Sequence, residues 1–206
     1  MKRHILARST VPALAALVIP HAHAHHPMGG EVPGTAMEGL LSGFGHPVIG
    51  LDHLLFVLAM GAACYYFGRK AGTVATFVGA ALLGTVLHLY RSTLIYPDLW
   101  VALSIVALGV MLWVAHRALR SRAALGFFAL SGIAHGYAYG ESIVGAEATP
   151  LFAYLAGFTL VQLALALAGY LIARQVSLGR PLVPGTQALG GSLVAVGAGF
   201  VVLSLM

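Results

Sequence analysis

His46-Pro47-Val48-Ile49-Gly50-Leu51-Asp52-His53-Leu54-Leu55-Phe56 sets an ionisable pair, Asp52 and His53, inside a run otherwise apolar enough to cross a bilayer. A charged side chain at bilayer depth costs at least about 2.5 to 3.5 kcal/mol on insertion scales, and such groups persist mainly where they face a bundle interior, an ion or a substrate path. The stretch therefore bears on fold and function together. It points to a membrane protein and marks Asp52 and His53 as a functional site within it.

Composition agrees with that reading. Of 206 residues 59% are hydrophobic and only 8% charged, where a soluble domain carries about a quarter charged residues. The net charge of +5 invites a nucleic-acid reading. Eight of the eleven Lys and Arg residues, however, fall in short gaps between apolar runs, where they act as topological anchors, and the other three lie within the first eight residues, which leaves no basic patch for phosphates. Cys64 is the single cysteine, so any metal site is built from nitrogen and oxygen ligands.

Residues 1–24 read as a secretory signal. Lys2, Arg3 and Arg8 form a positive start, Val11 to Ile19 a short apolar core, and Ala22-His23-Ala24 a small-x-small cleavage site. Cleavage after Ala24 leaves a mature chain that begins His25-His26-Pro27-Met28 and continues as a flexible, Gly- and Pro-containing periplasmic segment over 25–43. His25 and His26, together with the new amine, are candidate metal ligands.

The rest, 44–206, is expected to be a single all-α membrane domain of six transmembrane helices, at about 47–67, 71–90, 99–115, 123–141, 151–173 and 186–205. Each run is close to the roughly 20 residues a spanning helix needs. The gaps after the first, third and fifth runs hold seven cations: Arg69, Lys70, Arg117, Arg120, Arg122, Arg174 and Arg180. Among cations, the gaps after the second and fourth hold only Arg91. By the positive-inside rule the odd gaps are cytoplasmic, and the mature amino terminus lies outside, as signal cleavage requires.

This topology assigns depths. Asp52 and His53 fall roughly 8 to 9 Å below the outer end of the first helix, which starts near Pro47, and His135 falls roughly 9 Å below the outer end of the fourth. His46, His88 and Glu141 lie around the outer rim, and His116 lies with the cytoplasmic arginines. The candidate inner site is Asp52, His53 and His135, with His46 and Glu141 receiving an ion at the mouth. On a straight helix His46 and His53 stand roughly 10 Å apart along the axis, so both ligate one ion only if Pro47 and Gly50 break the helix and draw His46 inward. His88 is a further candidate ligand whose competing role is contact with solvent or headgroups. Tyr65, Tyr66, Trp100, Trp113 and Tyr154 read as interfacial belt residues or packing.

Imidazole with carboxylate suits Ni(II), Co(II) or Zn(II), whereas Mg(II) favours oxygen alone and Cu(I) favours sulfur. The octapeptide His46 to His53 resembles the HPxxGxDH signature of the HupE/UreJ family of nickel permeases. His135-Gly136-Tyr137-Ala138-Tyr139-Gly140-Glu141 resembles that family's second signature, HGxAxGxE. The resemblance covers essentially the whole chain. It implies secondary transport of Ni(II), in some members Co(II), into the cytoplasm for hydrogenase, urease or cobalamin assembly, and a metal-path role for His46, Asp52, His53, His135 and Glu141. The chain departs from the family in having Ala134 before the second-motif histidine, where Phe is common. Trp100 and Val101 stand where an acid is frequent in the third helix.

Two rival classes draw on the same residues. One is an intramembrane hydrolase, either a zinc enzyme on His53, His135 and Asp52 or a serine enzyme pairing Ser131 with His135. Ser131-Gly132 lacks a nucleophile motif, which argues against the serine form. The other is a haem protein with His53 and His135 as axial ligands, for which acids beside both histidines are a poor fit. The favoured reading is a permease of the bacterial inner membrane, not an enzyme, with a divalent transition-metal ion as cargo, the bilayer as partner, no prosthetic group and no nucleic acid.

Overall fold

The structure, a computed structural model, describes residues 31–68, 71–90, 92–114, 122–178 and 182–206. The expected leader, His25, His26 and five of the seven gap cations (Arg69, Lys70, Arg117, Arg120, Arg180) lie outside the described residues. Among the described residues every regular element is helical: α1 (Ala36–Ile49), α2 (Leu51–Tyr66), α3 (Ala71–Leu89), α4 (Pro97–Trp113), α5 (Ala123–Gly140), a 3-10 turn (Glu141–Ile143), α6 (Ala148–Val176) and α7 (Leu182–Ser204).

The first span differs from a straight helix over 47–67. Helix starts at Ala36, within the stretch expected to be flexible, because Thr35 and Glu38 form a reciprocal capping box: Thr35 Oγ1 accepts from Glu38 N, and Glu38 Oε2 accepts from Thr35 N. It then breaks at Gly50, with α1 and α2 bent by 78°. Pro47 lies in the last turn of α1, and Gly50 (φ −70°, ψ 98°) is extended, so it both ends α1 and begins α2.

Among the described residues three helices are long and apolar enough to cross a membrane: α3, α6 and the Gly185–Ser204 part of α7. The bent α1–α2 pair passes the same test as a unit, giving up to four. At 17 residues α4 is a shorter apolar helix. The remaining helix, α5, is 18 residues long but carries His135, two tyrosines and four glycines, which lower its mean hydropathy.

Burial is arranged for lipid rather than water. Leu130, Phe152, Leu167 and Val202 are more than half exposed, while His46, His53, His135, Ser104 and Gln162 are buried. Apolar side chains facing outward around a polar interior are what hydrocarbon solvent requires.

The helices associate in pairs through small residues, which let backbones approach where lipid removes any hydrophobic drive between helices. Gly39 meets Pro150, Gly43 meets Tyr154, Gly61 meets Ala166, and the rings of Tyr65 and Tyr170 touch, so the broken α1–α2 helix runs parallel to α6. Phe77 meets Gly132 and Ala81 meets Gly136, so α3 runs parallel to α5. Val106 meets Gly197 and Trp113 meets Gly190, so α4 runs antiparallel to α7. Phe56, Met60, Phe77, Ile105, Leu108 and Phe128 fill the core between these pairs.

Candidate functional site

The break at Gly50 brings His46 and His53 together. Their ring centroids are 5.8 Å apart, a distance the straight helix forbids. His53 Nδ1 lies 2.8 Å from His135 Nδ1, so residues 82 apart in sequence meet. His46, His53 and His135 form one buried row, at 4%, 3% and 0% exposure. The Tyr139 ring lies beside all three, at centroid distances of 5.1, 4.5 and 6.5 Å, and Phe56 and Phe77 close the row under His135.

Hydroxyl groups assign the tautomers. Ser104 Oγ donates to Val101 O at 2.6 Å, so toward His135 Nε2, at 3.0 Å, it accepts. His135 is therefore protonated on Nε2 and turns the Nδ1 lone pair to His53, whose Nδ1–H donates to it. The Tyr154 hydroxyl donates to Tyr139 O at 2.7 Å and leaves only lone pairs for His46 Nδ1, 3.5 Å away. His46 Nδ1 and Ser142 Oγ share a hydrogen bond at 2.5 Å. Such partners set which imidazole nitrogen is offered to a metal.

Asp52 sits in the first turn of α2, half-buried, and its Oδ1 accepts from His53 N at 2.8 Å. The partial positive charge at a helix N-terminus favours a carboxylate there. The same terminus, if bare, would repel a cation. On α3, Thr85 donates to Gly136 O at 2.8 Å and clamps that helix to α5 beside His135.

His88 and Glu141 are not part of this row. His88 Nδ1 donates to Tyr137 O at 2.7 Å, and its ring lies on Tyr137 at 4.4 Å, so it helps to pack α3 against α5. Glu141 is exposed on the 3-10 turn. Counted letter by letter from His135, the acid of HGxAxGxE falls on position 142, and this chain has Ser142 there, the residue that meets His46. Glu141 is one residue early, and about 100° of helix rotation carries it off the inward face.

Nothing in the order of residues singles out Ser104 and Tyr139, and of the two expectations for Tyr154, interfacial belt or packing, the structure shows packing, with Tyr154 fully buried. Ser142 was recoverable from the signature itself. For Ser104, one turn past Trp100 in the helix that lacks the family's acid, only the meeting of α4 with α5 supplies a reason.

Among the described residues no three His, Cys, Asp or Glu side chains converge as a ready metal cage. His53 and His135 bond each other, His46 bonds Ser142, and Asp52 bonds the start of its own helix. The arrangement is a row of stations closed to solvent, and two imidazoles in contact at 2.8 Å must part before both can bind one ion at about 2.0 to 2.1 Å each. The contact leaves no width between those rings for a porphyrin. Both His135 nitrogens face partners other than Ser131, so the serine-hydrolase pairing is not formed.

Gly50 is the closest neighbour of this machinery. A Cβ there would stand 2.7 Å from His53 Cδ2, although its φ of −70° suits alanine. Gly50→Ala is expected to displace the His53 ring and lower metal-ion uptake about tenfold with little change in membrane abundance, measured by uptake and immunoblot.

A family model described as HupE / UreJ protein matches residues 13–200. Protein HupE of Rhizobium leguminosarum bv. viciae is 28% identical over 197 residues, covering 89% of this chain and 95% of that protein. No solved structure matches the chain. The family match takes in every helix that builds the histidine row, and the chain belongs to the HupE/UreJ family, whose members are membrane transporters associated with nickel and cobalt rather than enzymes.

Proposed function

We propose that this protein is a six-span secondary permease of the bacterial inner membrane that carries Ni(II), and more weakly Co(II), from periplasm to cytoplasm. The observation that carries the proposal is the buried row His46–His53–His135 at a helix break, with Asp52 at the helix start beside it. Discontinuous helices in transporters place substrate-binding groups near mid-bilayer in this way. The helix directions support six alternating crossings. Parallel α1–α2 with α6, parallel α3 with α5 and antiparallel α4 with α7 are the relations that alternation requires. Signal cleavage and the cation-rich odd gaps favour a periplasmic amino terminus.

In the proposed cycle the ion meets His46 first. It then separates His53 from His135, with Asp52 neutralising both its charge and the α2 terminus. The departure of α2 from α5 that this requires opens the row toward the cytoplasm. Imidazoles bind a metal only when the ligating nitrogen is unprotonated, so ligation competes with protons. Uptake of radioactive nickel by cells is expected to fall as external pH is lowered, because protons compete with the ion for the ligating nitrogens. Competition by excess cobalt or zinc in that assay identifies the cargo. Zinc competing better than nickel would displace the nickel assignment.

A further inference from the structure

Two buried side-chain polar atoms among the described residues have no hydrogen-bond partner, Tyr139 Oη and Gln162 Oε1. Both residues are fully buried. An unpaired polar group in the interior costs about 1 to 3 kcal/mol, so each calls for a reason. A chain of contacts through Phe158 links these two. Tyr139 is the ring beside all three imidazoles, its ring lies 5.6 Å from that of Phe158, and the Phe158 carbonyl receives the Gln162 amide N–H at 3.2 Å. That hydrogen bond fixes the amide. Nitrogen must face the carbonyl, and oxygen must face away.

Gln162 also has a distinctive level. Along α6 it lies two turns, about 12 Å, beyond Tyr154, the residue beside His46. Helix α1 crosses α6 at Tyr154 and Phe158, and α2 crosses it at Ala166. Gln162 therefore falls between the two crossings, opposite the break that carries the histidines.

Resting on the permease reading, we infer that Tyr139, beside the imidazole row, and Gln162, beyond it, are further stations of the metal path, with Gln162 Oε1 taking the cation from the row on its way inward. Neutral oxygens bind a late 3d cation more weakly than imidazole does. Weak successive sites are what conduction needs, since a carrier must release what it captures. The oxygens stay unpaired because any permanent partner would compete with the ion.

The test uses the full chain in cells and in detergent. Gln162→Met keeps shape and removes the oxygen; Tyr139→Phe removes the hydroxyl alone. Each variant is expected to lose about tenfold in nickel uptake at subsaturating nickel. Equilibrium nickel binding to purified Gln162→Met should stay within about twofold, because the histidine row is intact, and the thermal midpoint of each variant should hold or rise as an orphan group is removed. Wild-type uptake in Gln162→Met, alongside a dead His53→Ala, would overturn the inference and leave the permease reading standing. A lowered midpoint that tracks lost uptake in both variants would assign them a structural role and overturn it as well. Absence of nickel uptake by the unaltered protein would bring down the permease reading and this inference with it.

Discussion

His53→Ala is expected to reduce nickel accumulation by about 100-fold or more, beyond the 10- to 100-fold typical for losing a mere orienting partner of a metal ligand. His53 is the central member of the row: its ring contacts those of His46 and His135, and its Nδ1 is the partner of His135. Alanine deletes a station and interrupts the sequence of sites on both sides. Asp52→Asn should act nearly as strongly by another route. The amide keeps an oxygen for His53 N but brings no negative charge, so the positive end of α2 faces the incoming cation uncompensated. Both variants should reach the membrane in normal amounts, since burial of an apolar methyl or a neutral amide is less costly than the group replaced. Wild-type accumulation in both would remove the central claim about the row.

Gly136→Ala is expected to lower the thermal midpoint by about 5 °C or more and to abolish uptake, with reduced protein in the membrane. A Cβ at position 136 would fall inside the contact radius of the Ala81 carbonyl, on backbone that no side-chain rotation can move. Helix α5 would have to retreat from α3. The Thr85–Gly136 hydrogen bond would stretch, and His135, the adjacent residue, would leave Ser104 and His53. This variant couples packing to the site, whereas His53→Ala should spare stability. Measuring midpoint and uptake on both distinguishes a lost ligand from a displaced one. An unchanged midpoint in Gly136→Ala would show that the α3–α5 approach is looser than these contacts require.

Much of the architecture was readable from residue order because lipid imposes long apolar runs. The expected run at 71–90 coincides with α3, and those at 123–141 and 151–173 lie on α5 and α6. The first run was misread in one respect. Thr35-Ala36-Met37-Glu38 is a capping box visible in the sequence, and it marks a helix start well before Pro47. The break at Gly50 was open to either outcome, since a proline in a last turn and an extended glycine are tolerated with or without a sharp bend. Packing against α6 decides it, because α1 and α2 each cross α6 at their own small residues and no straight helix meets both.

The candidate site divides in the same way. That Asp52, His53 and His135 belong together at one depth followed from hydropathy, charge and a rise of 1.5 Å per residue. Which atoms meet did not, because helical periodicity fixes a side chain's direction about its own axis and says nothing of the azimuth of the neighbouring helix. Ser104, Ser142, Tyr139 and Tyr154 became part of the site only when the pairs α3–α5 and α1–α6 set those azimuths. The sequence by itself determined a membrane bundle with histidines and an acid buried toward one side. Tertiary packing through glycine contacts and one 78° break decided that three of those histidines form a continuous row and that Glu141 and His88 stand apart from it.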